Sequence, residues 1–163
     1  MSAVDVCCGS RMFWFDRKDS RAVFCDVRKE QHDLTDMYSP GGVRKLIIDP
    51  DIQCDFRALP FADKTFNLVC FDPPHLVIAG KTGWLAKKYG KLETTWQEDI
   101  AAGFAECFRV LRPGGTLIFK WNEFDIPVSK ILALTPEKPL FGNRNGKQNK
   151  SHWIVFMKDG EVS

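Results

Sequence analysis

The motif in this sequence that is best suited to chemistry consists of four consecutive residues, Asp72, Pro73, Pro74 and His75. Two adjacent prolines fix φ and lack a backbone N–H, so carbonyl groups here can point outward as acceptors. A carboxylate beside such a carbonyl can accept both hydrogens of a planar primary amine, such as that of adenine or cytosine, while the His75 ring stacks on the base. The alternative is a proline-rich stop with a capping aspartate after a strand. The position of the Asp72–His75 motif directly after the apolar segment 66–71 favours the amine-binding interpretation.

A second group of residues could bind a nucleoside. Cys8, Gly9 and Ser10 form a small-residue turn after a first apolar segment, where a ligand could approach the backbone. Asp26 ends a second apolar segment, where a carboxylate could hydrogen-bond ribose hydroxyls. A structural turn with a solvated acid is an equally consistent reading of these residues. The turn has one glycine where dinucleotide-binding turns have three, which argues against a dinucleotide.

A third acid, Asp55, follows the segment 52–55 and could bind an adenine amino group. Phe56 or Phe61 would then lie beside the ring. Asp55 could instead cap a helix or a turn.

Positive charge is concentrated near these motifs, although 23 Lys+Arg against 21 Asp+Glu give a net charge of only +2. Seven cations lie between residues 81 and 91 and between 144 and 150, and they could contact a phosphate backbone or simply be solvated. Lys120 could contact a phosphate or an attacking oxygen, and Trp84 could stack on a base. The candidate substrate-binding residues are Lys81, Trp84, Lys87, Lys88, Lys120, Asn122, Arg144 and Lys147.

Alternating apolar segments predict the α/β sheet that positions these loops. Ligands bind outside the carboxyl ends of the strands in such sheets, which is where each of the motifs falls. Strands are predicted at 3–7, 21–26, 52–55, 66–71, 116–121 and 153–157, an amphipathic helix at 95–111 and a further short helix at 128–134. Residues 46–54 are otherwise expected to be irregular extended chain, and 142–151 to be a polar loop.

In this order, the motifs resemble those of the class I S-adenosylmethionine-dependent methyltransferases, and within them the amino-methyltransferases of DNA and RNA. DVCCGS (5–10) is similar to the first cofactor motif, and Asp26 falls where the family has its ribose-binding acid. DFRALPFADKTF (55–66) is similar to the adenine-binding segment, DPPH (72–75) to the catalytic (Asp/Asn)-Pro-Pro-aromatic motif, and LRPGG (111–115) to the turn into the fifth strand. GSRMFWFD, DPPHL and HWIVFMK look like small phage- or prophage-encoded members.

The resemblance implies a Rossmann-like methyltransferase fold, a doubly wound and mostly parallel seven-stranded sheet that could be reduced in helices. It implies S-adenosylmethionine as cofactor and a nucleic acid as substrate. Two residues depart from the family pattern: Arg11 stands where the first motif ends in glycine, and His75 stands where Tyr, Phe or Trp is usual. The implied cofactor-binding residues are Asp5, Cys7, Cys8, Gly9, Ser10, Asp26, Asp55, Phe56 and Asp72, and the implied catalytic residues are Asp72, Pro73, Pro74 and His75.

Composition limits the class of protein. With 163 residues, 44% hydrophobic and 27% charged, the chain is expected to form one domain over 1–163 and not a disordered or fibrous protein. No apolar run reaches the ~20 residues of a membrane span, and a cytoplasmic protein is expected. The six cysteines form no CxxC pair, so a metal site is not predicted.

Two alternatives stay open at this stage. The first is a methyltransferase of a small molecule, a protein side chain or a ribose hydroxyl, in the last case with Lys120 as the activating cation. The second is a non-catalytic cofactor-binding subunit. The chain could act as a homodimer or with a recognition partner.

Overall fold

A seven-stranded sheet forms the centre of the computed structural model, which describes residues 2–77, 87–88 and 90–160, with only the backbone of Lys147. The strands of this sheet are β1 (Ala3–Asp5), β2 (Ala22–Asp26), β5 (Ile52–Gln53), β6 (Phe66–Phe71), β7 (Leu111–Asn122), β8 (Phe141–Asn145) and β9 (Ser151–Met157). Their order is β5-β2-β1-β6-β7-β9-β8. The first five strands in this order run parallel, and β9 is antiparallel to both of its neighbours. The predicted mostly parallel seven-stranded sheet is confirmed.

The helices α1 (Trp96–Val110) and α2 (Val128–Leu132) both belong to the main core on one face of the sheet. Phe104 of α1 contacts Phe119 and Phe156, with ring centroids 4.8 and 5.9 Å apart. On the opposite face, Phe24 is covered by Trp14 from the loop after β1, at 4.9 Å. The expected reduction in helices is therefore confirmed for the part of the chain that is described. None of the helices seen there has the length and apolar character needed to cross a lipid bilayer.

A separate antiparallel hairpin, β3 (Glu30–Thr35) and β4 (Val43–Ile48), corrects the prediction of irregular extended chain for residues 46–48. The sequence predicted irregular chain there and no hairpin. The strand β3 has a single buried residue, Leu34, so it lacks the apolar alternation that identifies a strand. Chain reversal is made by Gly41 and Gly42, whose φ angles of 77° and 70° are in the region that favours glycine.

The strand β8 corrects a second prediction, that of a polar loop over 142–151. All five of its residues are exposed, because it is an edge strand paired only with β9. Gly142 permits the pairing, since a Cβ at this position would lie 2.9 Å from the carbonyl oxygen of Trp153. An exposed polar strand of this kind carries no hydrophobic signal in the sequence.

The carboxyl end of α1 fixes the segment that precedes β6. Glu106 accepts a hydrogen bond from the Leu59 backbone N–H at 2.7 Å. Arg109 donates to Glu106 at 2.6 Å and to the carbonyl oxygens of Leu59 and Phe61 at 3.0 and 2.8 Å. These bonds join the helix to the chain that follows Phe56, and so help to place that ring at the edge of the sheet.

Candidate functional site

A cavity of about 190 Å³ opens between the carboxyl ends of β1 and β6. The chain passes from β1 outward to β2 and β5, then returns to β6 and continues to β7 on the other side. The cavity therefore lies at the point where the strand order reverses, which is the usual ligand site in such sheets. The loop after β1 contributes Cys7, Cys8, Gly9 and Ser10 to its wall. The structure thus brings these four predicted cofactor-binding residues together.

The predicted catalytic motif forms another part of the wall of this cavity, which we call the larger cavity because a smaller one adjoins it. Asp72, Pro73 and His75 line it, together with Lys120 from β7 and Lys88. A smaller cavity of about 50 Å³ adjoins it, with Asp72 in the wall of both.

The smaller cavity has the features of a nucleoside site. It is lined by Asp26 and Val27 at the end of β2, by the ring of Phe56 and by Pro74. An acid, an aliphatic side chain and an aromatic ring are suited to ribose hydroxyls and to the faces of a purine. Asp26 and Phe56 are both where the sequence predicted cofactor contacts.

Asp72 forms an ion pair inside the larger cavity. Its Oδ2 accepts a hydrogen bond from Lys120 Nζ at 2.7 Å, and both side chains are about one-quarter exposed. Within the described ranges, no hydrogen bond is made to Asp72 Oδ1 or to the Pro73 carbonyl. Two residues that line the cavity therefore each have an acceptor that receives no hydrogen bond from the described residues. Lys120 also lies 5.9 Å from the ring centroid of Phe13 and 5.6 Å from that of Trp153, which further restrict its position.

His75 presents an uncharged ring to the same cavity. Burial lowers the pKa of His75 below its ordinary value of 6.5, so the imidazole is neutral near pH 7. Its ring is perpendicular to that of Trp121, with centroids 6.3 Å apart and an interplanar angle of 77°. A neutral, oriented ring can stack on a base and can also accept a proton.

The loop after β1 is tied to β2 through Asp26. The backbone N–H of Gly9, whose φ is 50°, donates to Asp26 Oδ2 at 2.8 Å. Oδ1 of the same carboxylate accepts from Arg28 N at 2.9 Å and from Arg28 Nε at 3.2 Å. Asp26 is only 4% exposed, and these contacts satisfy its buried charge.

Asp5 lies beneath the loop and lines neither cavity. It is completely buried, accepts from Trp14 Nε1 at 2.8 Å and from the Cys7 backbone N–H at 3.2 Å. Burial, with a smaller effect from nearby Asp72 and Asp26, raises the pKa of Asp5 from 3.8 to about 7. Its position indicates support of the loop in place of the direct cofactor contact predicted for it.

Arg11, which departs from the family pattern, has a structural role. Its guanidinium donates to the carbonyl oxygens of Arg17 and Asp49 at 2.6 and 2.8 Å, and to Asp51 at 3.0 Å. It also lies 3.9 Å from the ring centroid of Phe24. These contacts hold the loop after β1 against the chain that joins β4 to β5.

Several predicted site residues lie outside the two cavities. Asp55 pairs with Arg57 at 2.6 Å, which in turn pairs with Asp99 on α1 at 2.8 Å. Among the predicted substrate-binding residues, Asn122 donates to Ser151 Oγ and Arg144 pairs with Glu123 at 3.2 Å. Lys87 lines a separate groove beside β3, and Lys147 lies in the short helical turn Lys147–Asn149. Lys81 and Trp84 lie outside the described residues.

The lining residues that were not predicted from the sequence are Arg28, Met12, Phe13, Val6 and Val27. Arg28 lines both cavities, and Met12 lines the larger one. Arg28 could have been predicted from its place in the sequence, because it is two residues from Asp26 in a loop already expected to face the ligand.

Comparison with known proteins gives matches only at the level of structure. No family model matches the sequence, and no curated protein matches it. The PH0226 protein of Pyrococcus horikoshii OT3 superposes with a TM-score of 0.61 at 19% identity, over 97% of this chain and 82% of the other. A SAM-dependent methyltransferase of Methanosarcina mazei gives 0.58 at 13% identity, over 98% and 93%. The N-methyltransferase NodS of Bradyrhizobium japonicum WM9 gives 0.59 at 11% identity, over 97% and 85%.

The chain has the fold of SAM-dependent methyltransferases. The structural part of the resemblance stated from sequence is therefore confirmed. A shared fold does not by itself assign a reaction, which depends on the side chains of the two cavities.

Proposed function

We propose that this protein transfers a methyl group from S-adenosylmethionine to the exocyclic amino group of adenine or cytosine in DNA or RNA. The observation that carries the proposal is a cavity lined by Asp72, Pro73 and the neutral His75, in which Asp72 Oδ1 and the Pro73 carbonyl receive no hydrogen bond from the described residues. A planar amine has two N–H donors, which this pair can accept together.

The residues of the two cavities fit the proposed cofactor. Asp26 is positioned for ribose hydroxyls, and Phe56 and Val27 are positioned for an adenine ring. Gly9 has no side chain, so the cofactor could approach its backbone closely. Asp72 lies in the wall of both cavities, where its charge is compensated by Lys120. When bound, S-adenosylmethionine would supply an electrophilic methyl group on a positively charged sulfur.

Asp72 and Pro73 would act mainly by orientation. By accepting both amine hydrogens, Asp72 Oδ1 and the Pro73 carbonyl would fix the orientation of the amine nitrogen, and such positioning can contribute up to about 7 kcal/mol. Asp72 Oδ1 or His75 would accept the proton that the nitrogen loses when it takes up the methyl group. Lys120 holds Asp72 through Oδ2 at 2.7 Å and leaves the other oxygen for the amine.

The same ion pair disfavours a ribose hydroxyl as acceptor of the methyl group. That alternative uses Lys120 to activate an attacking oxygen, whereas Lys120 Nζ donates to Asp72. Lys88 in the cavity wall and Lys87 beside it supply positive charge for a phosphate backbone, which supports a nucleic acid over an uncharged small molecule.

The substitution Asp72→Asn tests the proposal. It keeps the shape of the side chain but replaces one acceptor oxygen with a donor, so methyl transfer should fall by about 10²-fold or more while cofactor affinity stays within a few-fold. Asp159→Asn, at an exposed position near the carboxyl end, is the matched control and should leave both unchanged. Undiminished turnover by the Asp72 variant would contradict the acceptor-pair mechanism.

A further inference from the structure

Arg28 lines both cavities, and so do Cys7 and Asp72. Together the cavities are smaller than the roughly 300 to 1,000 Å³ that ligand pockets usually have. A cofactor that occupies both would contact the residues in their shared wall, and of these Arg28 has the longest side chain.

At one end of the side chain, Arg28 Nε donates to Asp26 Oδ1 at 3.2 Å. The Asp26 carboxylate already accepts from the Gly9 and Arg28 backbone N–H groups at 2.8 and 2.9 Å. A carboxylate has about four lone-pair sites, so one remains. Two ribose hydroxyls need two sites, and Arg28 Nε is the donor that can leave by side-chain rotation alone.

At the other end, Arg28 contacts the segment that follows the catalytic motif. Its Nη1 donates to the Lys87 carbonyl at 3.0 Å and lies 3.7 Å from Glu30. The next residue along, Lys88, lines the larger cavity. Arg28 thus joins the proposed ribose-binding acid to the rim at which a substrate strand would lie.

We propose that Arg28 couples the two binding events: ribose hydroxyls displace its guanidinium from Asp26, and the released guanidinium then binds a phosphate of the substrate strand beside Lys88. This inference rests on the proposed function. In the structure the Arg28 side chain is only 21% exposed and is paired with Asp26. On release it would lose its closer carboxylate partner, so an anion at the rim would gain affinity. Cofactor and nucleic acid should consequently strengthen one another's binding by the same factor.

The test measures affinity of a single-stranded oligonucleotide with and without saturating S-adenosylhomocysteine, the demethylated cofactor. We expect binding to the wild-type protein to tighten by about fivefold or more in its presence. We call the ratio of oligonucleotide affinities with and without S-adenosylhomocysteine the coupling factor, and for Arg28→Gln this factor should fall to one. S-adenosylhomocysteine alone should bind this variant as tightly as the wild type or more tightly, because the guanidinium that competes for Asp26 is gone. Arg28→Lys retains the charge without the planar guanidinium and should give an intermediate factor.

Arg21→Gln is the matched control, since Arg21 also pairs with an aspartate, Asp19, at 2.6 Å but lines neither cavity. It should keep the wild-type factor. A wild-type factor of one, a retained factor in Arg28→Gln, or severalfold weaker S-adenosylhomocysteine binding to that variant would each overturn the coupling. If Arg28→Gln does not fold, an unchanged factor in Arg28→Lys overturns it. A wild-type protein that binds no oligonucleotide contradicts the proposed substrate itself, whereas binding with a factor of one contradicts only the role of Arg28.

Discussion

At the scale of single residues, the aspartates near the cavity differ in the partners that surround them. Asp72 faces Lys120 and is partly solvated, so its charge is compensated where the amine is expected to bind. Among the described residues, Asp5 accepts only from the N–H donors of Trp14 and Cys7, and its side chain is fully buried. The first arrangement suits an acceptor in a reaction, and the second costs folding free energy whenever the group ionises.

Asp5 should make stability depend on pH near neutrality. Its pKa is raised to about 7 in the folded protein, above the ordinary 3.8 of the unfolded chain. The folded state therefore holds the proton more tightly, so the stability that Asp5 contributes is fully present below about pH 3.8 and is lost as the pH rises through 7. Between pH 5 and 8 the loss should be about 2 to 3 kcal/mol.

Urea unfolding of the wild type and Asp5→Asn across this pH range checks that expectation. The variant should lack the decline, although the loss of one acceptor lowers its stability at pH 5. Asp19→Asn, at an exposed ion pair, is the control and should keep the wild-type decline. Equal slopes for wild type and Asp5→Asn would contradict the assignment of the raised pKa.

The sequence predicted the identity of the site residues better than the direction of their side chains. Asp72, Gly9 and Asp26 reach the cavities as expected, because strand ends and the strand order determine where their backbones lie. Asp55 also follows a strand, yet it pairs with Arg57. The choice between cavity and neighbour depends on local charge pairs that spacing alone does not report.

At the scale of elements, the helices and strands that bury apolar side chains could be predicted from the sequence, and the exposed ones could not. The strand β6 and the helix α1 bury apolar residues at the spacing of a strand and a helix, and both were predicted to within one residue at each end. The hairpin β3–β4 and the edge strand β8 are mostly exposed, so their pairing depends on backbone hydrogen bonds and turn glycines. Hydrophobic periodicity cannot detect such elements.

Gly103 on α1 connects element packing to the proposed adenine site. A Cβ at this position would lie 2.6 Å from the Phe71 ring and 2.7 Å from the Phe56 ring. Gly103→Ala should therefore displace Phe56 and destabilise the fold by about 1 to 3 kcal/mol through overpacking, less the roughly 1 kcal/mol that alanine gains in a helix. Affinity for S-adenosylhomocysteine should fall as well.

Thermal unfolding and calorimetry measure the two effects of this substitution. Gly160→Ala is the control, because no heavy atom lies within 4 Å of its added Cβ. If Gly103→Ala bound the cofactor with wild-type affinity, Phe56 would not form a wall of the adenine site.

At the scale of the whole molecule, a net charge of +2 means that attraction for a nucleic acid must be local. Lys88 lines the larger cavity, and Lys87, the residue before it, lines the groove beside β3. Arg144 pairs with Glu123 and lines neither cavity. We expect the double variant Lys87→Gln, Lys88→Gln to weaken binding of all single-stranded sequences alike, because phosphate contacts carry no sequence information.

The salt dependence of binding measures this contribution. Each lost phosphate contact should reduce the slope of log affinity against log salt by about 0.7 for single strands, or about 1.4 for the pair. The control exchanges two exposed lysines away from both cavities, Lys130→Gln and Lys138→Gln, and should retain the wild-type slope. A wild-type slope in the Lys87 and Lys88 variant would mean that these cations are solvated surface.

The central claim, methylation of an amine on a nucleic acid base, is tested most directly by transfer of a labelled methyl group. Wild-type protein and Asp72→Asn are incubated with methyl-labelled S-adenosylmethionine and separate pools of DNA, RNA and protein, followed by nucleoside analysis. We predict label in DNA or RNA as an N-methylated adenine or cytosine, at least about 10²-fold reduced with the variant. Label confined to the protein pool, on ribose, or equal for wild type and Asp72→Asn would contradict the account.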